Sequence, residues 1–210
     1  MSSFLDHQNW RYATKKFDPS KKISNEDLEI LLEAIRLSSS SYGLQPYKIL
    51  IIENKDLRAK IQQSAWGQSQ VVDASHLLVF ANQTDVSDSQ IDEFIENTSK
   101  TRGVALEALA GYQGFMKSKI SELSADAKNI WNSKQTYLAL ANLLNAAAEL
   151  KIDVTPMEGF SPAEVNEILG LKELGLNASL LAPIGYRHSE DATQHYKKVR
   201  KSKEELFITI

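Results

Sequence analysis

The sequence of 210 residues predicts an α+β domain in which helices wrap a mixed sheet, and two observations support this fold class. Long stretches carry the apolar spacing of amphipathic helices, whereas only a few short runs are rich in the β-branched residues of strands. The strand-like runs are scattered, without the regular alternation with helices that a doubly wound parallel sheet requires. Because no linker-like stretch divides the chain, we expect one domain over residues 1–210.

The stretch 24–35 has the signature of an amphipathic helix. Ser24 is a suitable N-cap, Asp27 stands at the capping-box position, and Ile23 can pack on Leu28 across the first turn. The apolar residues of one helix face follow at i, i+3, i+4 and i+7: Leu28, Leu31, Leu32 and Ile35. We expect helices also at 54–65, twice between 88 and 121, and at 161–170, where Ser161 and Pro162 mark the start and Gly170 the end.

The strongest helical signal runs from residue 124 to 150. Its part YLALANLLNAAAEL, 137–150, is apolar or small on nearly every side, as in a helix that is buried all round. Two explanations remain open at this point. The segment is either the central helix of the domain or one half of an oligomer interface.

Four apolar, β-branched runs predict strands. The runs at 48–53 and 76–82 resemble interior strands, and a third covers 178–186. The fourth, FITI at 207–210, follows the charged stretch YKKVRKSKEE and could pair within its own chain or with a neighbouring subunit.

Composition excludes several classes of protein. Lys and Arg number 24 against 27 Asp and Glu, so a net charge of -3 gives no general attraction to nucleic acid or anionic membranes. The absence of cysteine excludes disulfides, thiolate catalysis and iron–sulfur clusters. No signal peptide and no apolar segment of bilayer-spanning length is visible, and we therefore expect a cytoplasmic protein.

Five segments are candidates for function, each with an ordinary structural explanation. Basic clusters lie in RYATKKF, 11–17, and YKKVRK, 196–201, and these are either solvated faces or anion sites. PMEGF, 156–160, is a tight turn or a set of backbone N–H donors for a planar ligand. The hydroxyl-rich stretch 38–46 is either slack linker or a binding site. WGQSQ, 66–70, offers an apolar wall and two amides.

Known motifs for nucleotides, metals and hydrolysis are missing. The sequence contains no GxGxxG, Walker A, HExxH or GxSxG pattern. The four histidines show no metal-ligand spacing, and His76, at the start of a strand, is expected to be a hydrogen-bonded core residue. No metal site is predicted.

Five motifs in order resemble the nitroreductase family of flavoproteins, in particular its oxygen-insensitive NAD(P)H nitroreductases and flavin reductases. They are RYATKKFD at 11–18, SSYGLQPY at 40–47, DASH at 73–76, PMEGF at 156–160 and KVR at 198–200. The resemblance implies a nitroreductase-like fold with a mostly antiparallel sheet, a homodimer that exchanges its C-terminal strand, and two FMN molecules at the subunit interface. It also implies NADH or NADPH as electron donor and a small-molecule acceptor.

The resemblance assigns roles to residues at the matching positions. Arg11, Lys198 and Arg200 correspond to the phosphate site, with Tyr12 and Ala13 in the same loop. Lys15 corresponds to the lysine at the N1–O2 edge of the flavin, where a cation stabilises the charge that accumulates on reduction. The turn along the flavin ring, with a backbone N–H directed at N5, matches Pro156, Met157, Glu158 and Gly159.

The remaining roles implied by the resemblance concern the flavin edge and the acceptor. The segment given by the other subunit matches Ser40, Ser41, Gly43 and Gln45. Gln68 and Gln70 match the region at the pyrimidine edge, and Phe115 is the expected aromatic cover of the substrate position. The departures are Tyr12-Ala13 for histidine-serine, Gly43 for asparagine and Gln70 for lysine, which affect individual hydrogen bonds.

The function implied is ping-pong hydride transfer through FMN N5, first from nicotinamide and then to nitroaromatics, quinones or flavins. Two alternatives remain open: a family offshoot with different flavin chemistry, such as dehalogenation or flavin cleavage, and a non-catalytic flavin-binding protein.

Overall fold

The computed structural model describes residues 3–210. Among these residues the helices are α1 (Ser3–Trp10), α2 (Asn25–Arg36), α3 (Lys55–Ser64), α4 (Gln70–Asp73), α5 (Asp88–Arg102), α6 (Leu106–Ser121), α7 (Ala125–Glu149), α8 (Pro162–Leu169) and α9 (Lys203–Leu206). The strands are β1 (Tyr47–Ile52), β2 (His76–Gln83), β3 (Asp153–Val154) and β4 (Leu176–Gly185). Helices surround one sheet, which confirms the α+β prediction.

The sheet has the order β1-β2-β4-β3, and each neighbouring pair is antiparallel. Ala13 adds a single parallel bridge to Val154 of β3, which makes the sheet mixed but mostly antiparallel, as predicted. This bridge holds the loop 11–18 against the edge of the sheet.

Alternate residues of the central strands enter two different cores, because successive side chains of a strand point to opposite faces. Leu78 and Phe80 of β2 pack with α2 and α7, whereas Leu77 and Val79 pack with α3 and α8. All four side chains are fully buried, and each contributes roughly 1.5–3 kcal/mol. The pattern of β2 therefore fixes which helices cover which face.

The predicted helix at 24–35 is confirmed as α2, with Ser24 as its N-cap. The Ser24 Oγ atom accepts a hydrogen bond from Asp27 N at 3.0 Å, and Leu28, Leu31 and Ile35 are buried. The two helices expected between 88 and 121 are α5 and α6. They enclose a third apolar cluster, and Gly103 ends α5 with a φ of 64°.

Helix α7 is the longest in the described chain, but the prediction that it is buried all round is wrong for a single chain. Tyr137 is 44% exposed, and Leu138 is exposed on the same side. The opposite side of the helix is buried against α2 and the sheet. An apolar face left open on a central helix favours the interface explanation.

Two strand predictions need correction. The run at 48–53 is β1, but β1 is an edge strand because it pairs only with β2 within residues 3–210. The run at 207–210 forms no strand in the described chain. A strand needs the edge of another strand for its backbone hydrogen bonds. Here the run follows helix α9, which begins with a capping box at Ser202, and the side chains of the run are exposed to solvent. Exchange of this segment in a dimer stays a prediction.

The short elements α1, α4, β3 and α9 were not predicted, because they are too short to show a period. His76 begins β2 with its ring beside Ser75 Oγ at 3.0 Å, as expected of a hydrogen-bonded core histidine. None of the helices within residues 3–210 combines the length and apolarity that a bilayer crossing needs.

Candidate functional site

Asp191 fixes the conformation of the N-terminal loop 11–18. Its Oδ2 atom accepts hydrogen bonds from Lys15 N at 2.8 Å, Lys16 N at 3.1 Å and the Tyr12 hydroxyl at 3.0 Å, while Oδ1 accepts two from Thr193. Burial alone would raise the pKa of this carboxyl, but the hydrogen bonds outweigh it and lower the pKa to about 2. The carboxylate is therefore a permanent anchor for the loop.

Sequence reasoning missed Asp191. The available signal was local: an Asp two residues before a Thr, where its carboxylate can cap a short 3-10 turn, Ala192–His195. Its long-range partners, more than 170 residues away along the chain, leave no trace in the sequence.

Tyr12 lines the same cavity as Arg11, and its side chain is held by two contacts. Its hydroxyl donates to Asp191, and its ring faces the Arg187 guanidinium at 4.5 Å. Burial and the bond to Asp191 raise the pKa of the Tyr12 hydroxyl to about 12, so the group stays a proton donor to that carboxylate. Tyr12 thus positions the loop. Ala13 contributes backbone through its bridge to Val154.

The structure brings Arg11, Lys198 and Arg200 together, and these three residues are called the basic cluster below. They line a cavity of about 440 Å³. Burial lowers the pKa of Arg11, and the charge of Arg200 lowers it further. Burial, then Arg11 and Arg200, lower the pKa of Lys198. In the part of the chain that the structure describes, no carboxylate forms an ion pair with any of the three. Mutually repelling cations around a cavity favour an anion there.

Hydrogen bonds anchor the cluster to the end of α1. The Lys198 Nζ atom donates to Gln8 O at 2.6 Å and to the carbonyl of Arg11. Arg11 Nε donates to Gln8 Oε1 at 2.7 Å, an interaction that leaves the terminal nitrogens of Arg11 for a ligand. The C-terminal segment is in this way fixed to the N-terminal loop.

The turn 156–160 is anchored to the sheet and to the loop after α3. Met157 N donates to Leu181 O at 2.8 Å, and Leu181 N donates back to Met157 O at 3.0 Å. The Gln68 side-chain amide donates to Gly159 O at 2.8 Å. Within residues 3–210 the backbone N–H groups of Glu158 and Gly159 have no acceptor, so two donors remain for a ligand.

Tyr137 of α7 holds the other side of this turn. Its hydroxyl donates to Glu158 Oε1 at 2.5 Å. Burial, followed by the hydrogen bond to Glu158, raises the pKa of Tyr137 to about 12. Sequence reasoning missed this contact; the only signal was a tyrosine in an otherwise apolar helix segment.

Pro156 joins the basic cluster to the turn. It lines the basic cavity and also a second, mostly apolar cavity of about 450 Å³ along α7. The second cavity is lined by Tyr137, Leu140, Ala141, Leu144, Met157, Glu158 and Leu180. An anionic group and a flat apolar group of one ligand could therefore lie side by side here.

The stretch 38–45, called the serine loop below, is ordered by other contacts. Ser40 Oγ accepts a hydrogen bond from Gln45 N at 2.9 Å, and Ser41 N donates to Gln135 Oε1 of α7 at 2.8 Å. Gly43 has a φ of 82°, and a Cβ atom there would meet the Phe94 ring at 3.2 Å. The slack-linker explanation is therefore wrong.

The serine loop and the turn 156–160 contact opposite faces of α7. The loop binds Gln135, the turn binds Tyr137, and two residues correspond to about 200° around a helix. Asn142, seven residues after Gln135 and thus on the same face, donates to Ser38 Oγ at 2.8 Å. A single chain thus does not bring the predicted serine-loop ligands onto the face that carries the turn.

The other predicted residues are distributed over both regions. Lys15 is exposed, with its backbone held by Asp191 and no ion pair to its side chain within residues 3–210. Gln68 fastens the turn, and Gln70 is buried in α4. Phe115 lies on α6 with its ring 6.4 Å from Tyr42, on the serine-loop side. No group of three or more potential metal ligands occurs among residues 3–210.

Comparisons with known proteins agree with this architecture. A profile described as Nitroreductase family matches residues 9–186. The Major NAD(P)H-flavin oxidoreductase of Aliivibrio fischeri is 36% identical over 209 residues, which covers 95% of this chain and 94% of that protein. A nitroreductase-like protein of Streptococcus mutans has a similar structure, with a TM-score of 0.87 at 19% identity, 100% of this chain and 99% of that chain covered. A structure from Exiguobacterium sibiricum in complex with FMN is also similar, with a TM-score of 0.83 at 19% sequence identity. The match covers 100% of this chain and 98% of that chain.

Proposed function

Because this chain belongs to the nitroreductase family, we propose that it is an FMN-dependent NAD(P)H oxidoreductase for flat, electron-poor acceptors. Nitroaromatics, quinones and free flavins are the acceptor class, and the two substrates react in a ping-pong order. The name of the Aliivibrio fischeri relative, an NAD(P)H-flavin oxidoreductase, supports the donor and the reaction type.

The observation that carries the proposal is the basic cluster. Two guanidinium groups and an ammonium group surround one cavity without a carboxylate among residues 3–210 to neutralise them. A phosphate group fits such a set, since arginine can bind phosphate through two parallel hydrogen bonds and lysine adds a point charge. Burial, and after it the repulsion among these cations, lowers the pKa values of Arg11 and Lys198, and the FMN phosphate would relieve the repulsion.

The turn 156–160 fits the flavin ring. The N–H groups of Glu158 and Gly159 can donate to ring acceptor atoms, and the apolar cavity along α7 can take a flat ring system. When bound, FMN supplies the two-electron chemistry that accepts hydride from nicotinamide and passes it to the acceptor. The chain itself provides orientation and donors at the atoms where charge changes.

Lys15 provides electrostatic stabilisation in this proposal. Asp191 holds the backbone of Lys15, while the side chain remains unpaired among residues 3–210. A cation at the flavin edge stabilises the negative charge that reduction produces. No side-chain acid or base is required for hydride transfer, and we assign none.

A homodimer would complete the site. The serine loop, which carries Ser40, Ser41 and Gly43, contacts the face of α7 opposite the turn through Ser41 N and Ser38 Oγ. These residues would therefore serve the cofactor of a second subunit. The exposed apolar face of α7 and the exposed apolar residues 207–210 supply surface for this assembly.

One preparation tests the proposal. The purified protein should be yellow after FMN is added and excess FMN removed, and NADH or NADPH should bleach it in the absence of air. A flat acceptor should then restore the colour. A protein that takes up no FMN would disprove the flavoprotein assignment, while a yellow protein that neither nicotinamide bleaches would be a flavin-binding protein without this activity.

A further inference from the structure

Trp66 occupies a backbone position that normally favours glycine. Helix α3 ends with a hydrogen bond from Gly67 N to Gln62 O at 2.9 Å, the closing bond of a left-handed helix terminus. The residue inside this closure, Trp66, has a φ of 58°. A bulky residue in the left-handed region is strained, because its Cβ atom crowds the backbone.

Burial does not compensate for this strain. The Trp66 side chain is 75% exposed, although tryptophan is normally among the largely buried residues. A strained residue with an exposed aromatic ring therefore calls for a reason other than folding.

The indole lies against the turn 156–160. A Cβ atom added to Gly159 would be 2.9 Å from Trp66 Cζ3 and 3.3 Å from Cε3, so the ring edge covers this glycine. The Gln68 amide fixes the arrangement by donating to Gly159 O at 2.8 Å and to Ala65 O at 3.1 Å. The exposed ring is consequently held beside the two free N–H donors of the turn.

We propose that Trp66 is a specificity-determining wall of the acceptor site, which selects planar, electron-poor aromatic acceptors by contact with its indole. This inference rests on the proposed function, because it takes the turn as the place where the acceptor is reduced. The indole is electron-rich and flat, and stacking with an electron-poor ring adds to the contact area. A residue kept in a strained, exposed conformation beside the donors suits this role.

The chain offers a matched control. Lys151 stands at the end of α7 in the same situation, with a φ of 58° inside a hydrogen bond from Ile152 N to Ala147 O at 2.8 Å. Trp66→Gly and Lys151→Gly therefore remove the same backbone strain, but only the first removes the indole. Trp66→Gly should unfold at a temperature no lower than that of the parent, and about 2 °C higher where the strain is fully relieved. Lys151→Gly should gain less, because it also loses the contact of its ammonium group with the Trp10 ring, 4.9 Å away.

The test measures how tightly 4-nitrobenzoate and a naphthoquinone bind to the oxidised, FMN-loaded protein in the absence of an electron donor. Binding is detected as a change in the visible flavin spectrum. Trp66→Gly should raise both dissociation constants roughly 3- to 10-fold, the range expected for loss of one aromatic contact. Lys151→Gly should leave both unchanged, and Trp66→Phe should stay within about twofold of the parent because it keeps a flat ring.

Three outcomes would overturn the inference. The first is unchanged acceptor binding in Trp66→Gly, and the second is an equal loss of acceptor affinity in Trp66→Phe and Trp66→Gly. The third is a smaller species on gel filtration for Trp66→Gly, which would show that the indole serves the association of subunits. FMN affinity and bleaching by NADH are recorded for the parent in the same series. If the parent fails these two measurements, the proposed function fails; if only the Trp66 comparison fails, the proposed function stands.

Discussion

The basic cluster and the serine loop differ in how completely one chain builds them. Arg11 and Arg200 are separated by almost the whole sequence, yet they line one cavity. The serine loop is continuous in sequence, but its Ser40 hydroxyl and Ser41 N–H are engaged with Gln45 and Gln135. The loop also lies on the other face of α7. One region is thus assembled within a single chain, whereas the other lies apart from it, and we propose that the serine loop serves a second subunit.

This difference is what the proposed dimer requires, since each cofactor would take residues from both subunits. A helix can contribute to two binding sites if its opposite faces contact different segments of the chain. The long α7, with Gln135 and Tyr137 about 200° apart, has this property. The predictions below test whether the two regions serve different cofactors.

The largest expected effect comes from mixed dimers. A chain with Arg11→Ala and Arg200→Ala is combined with a chain with Ser41→Asp, which places a negative charge in the serine loop. If the loop serves the partner's cofactor, the mixed dimer has one intact site and binds about half of the normal FMN, whereas either pure variant binds almost none. FMN per chain, measured by absorbance after gel filtration, decides the matter. Two damaged sites in the mixed dimer would show that the loop serves its own chain.

The next effect concerns the basic cluster alone. Arg11→Ala should weaken FMN binding by roughly 10- to 100-fold, because a charge-assisted hydrogen bond contributes about 1.5–3 kcal/mol. Riboflavin, which lacks the phosphate, should bind parent and variant equally. Flavin fluorescence during titration of the apoprotein gives both constants, and Lys134→Ala, an exposed lysine outside both regions, is the control. A parallel loss of riboflavin affinity would contradict a phosphate role.

Asp191→Asn tests the residue that anchors the N-terminal loop 11–18. Asparagine cannot accept all the bonds that the carboxylate accepts, so unfolding free energy should fall by about 1–3 kcal/mol at pH 7. The direction in which stability changes with pH follows from the pKa of Asp191, which folding lowers to about 2. The carboxylate stabilises the fold above the ordinary pKa of 3.8, and this contribution is lost as pH falls toward 2.

Urea unfolding of both proteins between pH 6 and pH 3 measures this effect. The difference in stability between parent and Asp191→Asn should be constant near neutrality and shrink below about pH 4. A difference that stays constant down to pH 3 would show that Asp191 is not the group that titrates.

The smallest effect is expected at the turn. Tyr137→Phe removes one hydrogen bond to Glu158 from a half-exposed side chain, so stability should change by less than about 1 kcal/mol. Because the turn loses one of its anchors, the rate of flavin reduction by NADH should fall by about two- to fivefold in stopped-flow measurements. Lys134→Ala, an exposed position three residues earlier on α7, is the control for changes in the helix itself. An unaltered rate would mean that the sheet and Gln68 hold the turn without Tyr137.

Local rules allowed much of the fold to be predicted. The caps at Ser24 and Ser161 and the left-handed glycine at Gly170 stand where their patterns indicate. β1 was placed correctly along the chain but wrongly within the sheet. Burial on one face and on both faces gives similar apolar runs in short strands, so the edge position could not be recognised.

The residues of the candidate site could be named from sequence motifs, but the residues that hold them in position could not. Lys198 and Arg200 could be named from a short basic run, whereas Asp191, Tyr137 and the placement of Trp66 beside Gly159 could not. Side-chain hydrogen bonds between distant segments have no period and no fixed spacing, so nothing in the sequence indicates them.

The sequence by itself determined the helices that carry a clear cap or apolar period, the alternation of β2 between two cores and the residue types that can hold an anion, because these depend on neighbours within a few positions. The tertiary structure alone decided which cations meet, that Asp191 fixes their loop, and that the serine loop and the turn lie on opposite faces of α7. These features depend on how the chain returns to itself, which is set by the packing of the whole core and not by any one segment.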